Sequence, residues 1–204
     1  MQNHNRLGII LIIIGMSFFA VQDILIKSMA PEASLMQILF FRGLIGTLLL
    51  TIFFYFTGRK ISFSSTFPFI AILRGFLFFL GFTSYYISLT LIPLAEATSL
   101  FFISPFFMTI FSKFILKNDV GLYRVSAIFV GFLGILLIIK PNFSEFNWAM
   151  ILPIFCATTY SLSMILAKLT SNSDSSFQQT SHIYLSNFIF AATTSLIAIN
   201  FFPN

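Results

Sequence analysis

Apolar runs, each of about 20 residues and therefore of membrane-spanning length, repeat along the whole chain with short polar breaks between them. They extend from Leu7 to Lys27, Leu35 to Phe56, Phe67 to Leu89, Leu94 to Phe114, Leu122 to Ile139, Trp148 to Lys168 and Ser181 to Phe202. At a rise of about 1.5 Å per residue, a helix of this length crosses the roughly 30 Å of bilayer hydrocarbon. None of the runs alternates apolar and polar residues as a barrel strand facing a wet lumen must. The pattern predicts an all-α membrane protein of about seven transmembrane helices. Turn-forming residues mark the breaks: Ala30-Pro31-Glu32, Thr57-Gly58-Arg59-Lys60, Lys117-Asn118-Asp119, Lys140-Pro141-Asn142 and the polar stretch from Thr170 to Ser176.

Composition agrees with that pattern. Of the 204 residues, 58% are hydrophobic and 8% charged, too few polar groups to cover a water-soluble surface. The net charge of +5 does not point to nucleic acid, because the basic residues form no run or aromatic-interleaved patch and fall between apolar segments. They point to orientation. With a cytoplasmic N-terminus, Arg6, Arg59, Lys60, Lys113, Lys117, Arg124 and Lys168 lie on the cytoplasmic side, and only Lys27 and Lys140 lie opposite. This bias predicts a multi-pass protein of the inner (plasma) membrane with its N-terminus inside. The first run is too long for a signal-peptide core and lacks a small-residue cleavage site, so it reads as a retained helix. Cys156 is the single cysteine and sits within an apolar run, which leaves no disulfide framework or thiolate metal cluster to build.

The chain also contains a weak internal repeat. GMSFFAVQDILIK, Gly15 to Lys27, aligns with CATTYSLSMILAK, Cys156 to Lys168, placing Phe19 opposite Tyr160 and Lys27 opposite Lys168. Gln37 to Arg42 then falls opposite His182 to Asn187. The sixth and seventh helices thus look like a second copy of the first and second. With five helices per copy, an odd number, two such copies sit inverted in the bilayer, an arrangement that places a solute site near the midplane between them.

The series FFAVQDILIK, QILFFRG, RGFLFFLGF, LIPLAEATSLFFISPFFMTIFSKFIL and VGFLGILLIIKPN resembles the drug/metabolite transporter superfamily of the EamA type. The resemblance covers nearly the whole chain and is strongest over Pro93 to Pro105 and Gly131 to Pro141. It implies one complete five-helix repeat over residues 7–141 and two helices of an inverted second repeat over 146–204. It also implies about three more helices beyond Asn204, without which the 204 residues are expected to insert but not to transport alone. Where many relatives carry an acidic residue just after the fourth helix, this chain reads Leu116-Lys117-Asn118-Asp119, so either Asp119 substitutes from a shifted position or the contact made there differs.

Ionisable residues within the spans are costly, at about 2.5 to 3.5 kcal/mol each at a helix centre, and need a partner or a wet cavity. Asp23 and Arg42 fall at comparable depth and are expected to pair, either as a fixed packing contact or as a pair that opens to admit substrate. Arg74 is placed either to snorkel to the headgroups or to line the path. Glu96 follows Pro93 at a helix start, where it serves as a cap or as a cation-coupling carboxylate. Gln22, Gln37 and Tyr85 offer hydrogen bonds between helices. Pro105 is expected to bend the fourth helix, and the pairs Gly43/Gly46 and Gly131/Gly134 are expected to permit close packing.

These residues define the candidate pathway or gate: Asp23, Arg42, Arg74, Glu96, Gln22, Gln37, Tyr85 and Pro105. The function the resemblance implies is movement of a small organic solute by alternating access, with the bilayer and the solute as partners and no cofactor. No GxxxxGK[ST] phosphate loop is present, so energy must come from a gradient or exchange. A membrane-embedded lipid-modifying enzyme lacks its constellation: His4 and His182 stand apart, with no HExxH or paired acidic motif. A noncatalytic membrane fragment or scaffold is the remaining alternative. The charge bias predicts that reporters fused after Lys60 or Lys117 are cytoplasmic and those after Glu32 or Asn142 external; inverted activities at these sites would refute the orientation.

Overall fold

A computed structural model describes residues 2–29, 35–58, 65–139 and 147–201. Eight α-helices are formed among them: α1 (Gln2–Met29), α2 (Leu35–Thr57), α3 (Pro68–Leu91), α4 (Leu94–Phe101), α5 (Ser104–Ile115), α6 (Leu122–Ile139), α7 (Ile151–Thr170) and α8 (Ser176–Phe201). A 3₁₀ turn, Trp148–Met150, opens α7, where the Asn147 side chain accepts the Ala149 N–H at 3.0 Å. No strand occurs among the described residues. Five stretches are long and apolar enough to cross a bilayer: Leu7–Met29, Gln37–Thr57, Pro68–Leu91, Leu94–Ile115 and Trp148–Thr170. With α6 and α8 they occupy the seven expected positions, in a multi-pass membrane protein. The breaks expected at Ala30 to Glu32, Arg59-Lys60 and Lys140 to Asn142 lie outside the described residues, as do the expected repeat limits at 141, 146 and 204.

Three features differ from the sequence reading. The first helix begins at Gln2 and the last at Ser176, ahead of the expected Leu7 and Ser181. The fourth helix is not merely bent: it is divided into α4 and α5 by a turn at Phe102-Ile103. Proline at position 105 has no N–H to bond the carbonyl four residues back, and its ring crowds that carbonyl, so α4 stops at Phe101. The chain restarts with Ser104 and Pro105 in the first turn of α5, where the missing donor costs nothing. The Ser161 hydroxyl of α7 donates to the Ser104 carbonyl at 2.9 Å and anchors the restart.

Helix α3 is the centre of the bundle. It packs most extensively on α7 and α8, and also meets α1, α2 and α4. Contact this close needs small residues. A Cβ at Gly75 would overlap the Ser186 side chain of α8, and one at Gly81 would overlap the Thr159 hydroxyl of α7. Gly43 and Gly46 likewise face Phe188 and Tyr184 of α8, whereas Gly131 and Gly134 meet no neighbour within 4 Å. The expected close packing therefore holds for the α2 pair and not for the α6 pair among the described residues. The core cluster joins Phe79, Phe82, Tyr85, Tyr86 and Leu89 of α3 to Ile26, Leu39, Ala97, Cys156 and Ala191 from the surrounding helices. The outer faces remain apolar and exposed, as at Ile12, Phe18, Phe56 and Leu137, which suits lipid as the solvent.

At one end of the bundle, Asp174 in the α7–α8 turn clasps the segment before α3. Its carboxylate accepts the Ser65 hydroxyl at 2.5 Å and the Thr66 N–H at 3.0 Å. Burial opposes the charge, but these hydrogen bonds outweigh it and hold the carboxyl below its ordinary value of 3.8.

Two stability predictions follow from these contacts. Gly75→Ala forces α3 and α8 apart and should lower the thermal midpoint in detergent, at a cost of about 1 to 3 kcal/mol. Adding Ser186→Gly should recover part of the loss; an unchanged midpoint in the single variant would disprove the contact. For Asp174, a depressed folded-state pKa means that the stabilisation is complete above the unfolded value and is lost as pH falls through the folded one. The midpoint difference between wild type and Asp174→Asn should thus be largest above about pH 4 and shrink at lower pH. A difference that grows on acidification would contradict the assignment.

Candidate functional site

The polar residues of α1 meet α3 through tyrosine hydroxyls. Gln22 and Asp23 are adjacent in α1, and Tyr85 and Tyr86 are adjacent in α3, so one helix contact makes two bonds. The Tyr85 hydroxyl donates to Asp23 Oδ2 at 3.2 Å, and Gln22 Nε2 donates to the Tyr86 oxygen at 2.6 Å. Farther along α1, the Lys27 ammonium donates to the carbonyls of Leu89 and Ile92 at 2.9 and 3.0 Å and caps the C-terminal end of α3.

Arg42 joins this group from α2, but not as an ion-pair partner of Asp23. Its Nε donates to Gln22 Oε1 at 3.3 Å, and its guanidinium lies 5.3 Å from the Tyr86 ring centroid and 5.6 Å from that of Phe82. The expected direct pair is replaced by an amide bridge and two aromatic faces. The planar guanidinium suits both, because it is weakly hydrated and stacks on rings.

Asp23 and Tyr85 open onto a cavity of about 510 Å³ bounded by α1, α3, α4 and α7. Aromatic residues (Phe19, Phe82, Tyr85, Phe101, Phe102 and Tyr160) make up about half of its lining, and most of the rest is aliphatic. The rings support one another: Phe101 and Tyr160 lie 5.5 Å apart, Phe82 and Tyr160 6.1 Å, and Tyr85 and Phe101 5.6 Å. A smaller cavity of about 80 Å³, lined by Arg42, Gly43, Tyr184 and Asn187, lies toward α2 and α8, and Phe19 borders both. A volume in this range, with a few converging polar atoms in an apolar wall, is that of a small-molecule site.

The other sequence candidates lie elsewhere. Arg74 does not snorkel. It is 3% exposed, and its Nε and Nη1 donate to the Ser163 carbonyl and Gln179 Oε1 at 3.2 and 3.1 Å, tying α3 to α7 and α8. Ser163 returns a bond from its hydroxyl to the Arg74 carbonyl at 3.3 Å. Glu96 is buried in the first turn of α4, where its carboxylate takes no side-chain hydrogen bond among the described residues. Gln37 is exposed on α2, Pro105 sets the α4–α5 break, and Asp119 is exposed beyond α5. The residues that the candidate set omits are Phe82, Tyr86 and Phe101, and the single clue to Phe19 and Tyr160 is their pairing in the internal repeat. No group of three His, Cys, Asp or Glu poised to hold a metal ion occurs among the described residues.

Comparison with known proteins follows this geometry. A solved crystal structure shares the fold, with a TM-score of 0.65 at 17% identity over 89% of this chain and 66% of that one. An S-adenosylmethionine uptake transporter of Rickettsia prowazekii is 28% identical over 161 residues, 79% of this chain and 54% of the relative. A pseudopaline exporter of Pseudomonas aeruginosa is 30% identical over 192 residues, 94% of this chain and 65% of the relative. A riboflavin transporter of Vibrio cholerae is 34% identical over 84 residues, 41% of this chain and 28% of the relative. The chain spans about half the length of the uptake transporters it matches. The EamA-like transporter family matches residues 6–140, about two thirds of the sequence, and the chain belongs to that family.

Proposed function

We propose that the protein carries a small organic solute across the inner (plasma) membrane by alternating access, using a gradient or exchange, and that it is not an enzyme. The observation that carries this reading is the 510 Å³ cavity, in which a carboxylate and a tyrosine hydroxyl sit among aromatic walls inside a bundle of membrane-spanning helices. Ionisable groups at such depth mark solute paths. Relatives named for S-adenosylmethionine, pseudopaline and riboflavin make a metabolite the reasonable cargo, with direction set by the driving gradient. Asp23 and Tyr85 form the solute-facing group, Gln22 and Arg42 brace it from behind, Arg74 secures the bundle beyond it, and the α4–α5 break at Pro105 is the gating joint. Glu96 provides a second carboxylate for coupling, and Gln37 lies outside the path.

An inverted pair of repeats, over 7–141 and 146–204, explains why the solute site falls where it does. Phe19 and Tyr160, equivalent in the internal alignment, both line the larger cavity. Arg42 and Asn187, equivalent in the second aligned stretch, both line the smaller one, and Gly43 faces its counterpart Phe188. Equivalent residues meeting across shared cavities is what an axis between two inverted copies produces. A cytoplasmic N-terminus follows from the charge bias of the loops.

The test is counterflow in proteoliposomes holding the complete protein, including any helices that continue beyond Asn204, with S-adenosylmethionine, riboflavin and amino acids as labelled solutes. Saturable exchange of at least one, reduced by about tenfold or more in Asp23→Ala, is expected. Absence of exchange for every solute under every imposed gradient would reject the carrier reading.

A further inference from the structure

We infer that the larger cavity is built for an organic cation, whose positive centre sits on Asp23 while its flat apolar part lies against Phe82, Phe101 and Tyr160. The inference rests on the carrier reading for its setting and adds the chemical class of the solute. Its starting point is the distribution of charge. Asp23 is the sole charged residue among the described residues that line the cavity. Arg42, the cation that could have cancelled it, lines the smaller cavity instead and is engaged by Gln22 and the Phe82 and Tyr86 rings.

The carboxylate is also incompletely bonded. A carboxylate offers about four acceptor positions on its two oxygens, and among the described residues Asp23 receives one side-chain bond, from Tyr85 to Oδ2. Asp23 itself lines the cavity. Arg42 acts on this carboxylate only at longer range, without a salt bridge, so the site gains from a ligand that brings a positive centre into direct contact.

The walls select among cations. A small hard ion such as sodium or calcium needs several oxygen ligands. Here, besides the Asp23 carboxylate, the side chains of the lining offer oxygen only from the hydroxyls of Thr98, Tyr85 and Tyr160, and the rest of the lining is aromatic and aliphatic. Ring faces attract weakly hydrated onium centres through their quadrupoles, and the aromatic lining also accepts a planar group by stacking. Ammonium and sulfonium solutes with an aromatic portion meet both requirements.

The test uses two matched pairs: S-adenosylmethionine against S-adenosylhomocysteine, which lacks the sulfonium methyl and its charge, and benzyltrimethylammonium against benzyl alcohol. Binding is measured by calorimetry on the purified, detergent-solubilised protein. The cationic member of at least one pair should bind about tenfold or more tightly than its neutral partner. Asp23→Asn should abolish that preference, and Asp23→Glu, which keeps the charge, should retain it; both variants are checked for an unchanged thermal midpoint, and Tyr85→Phe serves as a third variant that preserves the carboxylate. No preference in either pair, including no binding of either cation, overturns the inference, as does a preference that survives Asp23→Asn. Counterflow without charge preference also overturns it while leaving the carrier reading intact. Charge-selective binding with no counterflow of any solute supports it and rejects the carrier reading instead.

Discussion

The close approach of α3 to α7 and α8 positions every other part of the site. Gly75 and Gly81 let the α3 backbone come against Ser186 and Thr159, where any larger side chain would hold the helices apart. At that separation Arg74 reaches both the Ser163 carbonyl and Gln179, and its buried charge is met by two acceptors from two helices. Membrane helices gain little from hydrophobic attraction to one another, since lipid is as apolar as they are. Tight packing and interhelical hydrogen bonds must supply the association, and α3 provides both. Phe82 and Tyr85 continue the same side of the helix, seven residues on from Gly75 and four on from Gly81, so the contact that holds the bundle also sets the cavity wall.

Around this centre the protein deals with its intramembrane charges in three different ways. Arg74 is absorbed into the packing between three helices. Arg42 is held by an amide and two ring faces, which solvate a guanidinium without neutralising it. Asp23 is given one tyrosine hydroxyl and an opening. The difference in satisfaction sets Arg74 and Arg42, bonded within the bundle, apart from Asp23 and from Glu96, whose carboxylate takes no side-chain hydrogen bond among the described residues. The break between α4 and α5 adds a joint beside that opening, because Phe101 and Phe102, at the end of α4, line the cavity while Pro105 begins the next helix.

Relatives named for S-adenosylmethionine, pseudopaline and riboflavin match this chain over part of their length. On the proposed carrier reading, discrimination among cargoes resides in the side chains that reach the cavity rather than in the helical frame. Those side chains are one acid, two tyrosines, four phenylalanines, a threonine, a methionine and a set of aliphatic residues.

The apolar run lengths define seven membrane-length stretches and the membrane setting, because a bilayer imposes length and polarity on each segment separately; the family resemblance rests on the motif series from FFAVQDILIK to VGFLGILLIIKPN, and the division of the fourth run into α4 and α5 appears only in the structure. Asp23, Arg42 and Tyr85 stood out for the same reason, as polar atoms in stretches that should have none. Partner choice was beyond that reading. Asp23 and Arg42 at similar depth suggested an ion pair, but depth leaves the rotation of each helix undefined, and the structure turns Asp23 toward Tyr85 and Arg42 toward Gln22, Phe82 and Tyr86. For Arg74 the sequence leaves snorkelling and pathway lining open, because a long stem near a helix end gives no sign that two other helices cover it. Phe82, Phe101 and Tyr160 were hidden among the 30 Phe and 6 Tyr residues of the sequence, most of which suit lipid equally well. Which aromatic rings face lipid and which face the cavity is decided by how α3, α4 and α7 pack, a property of the assembled helices that no single apolar segment records.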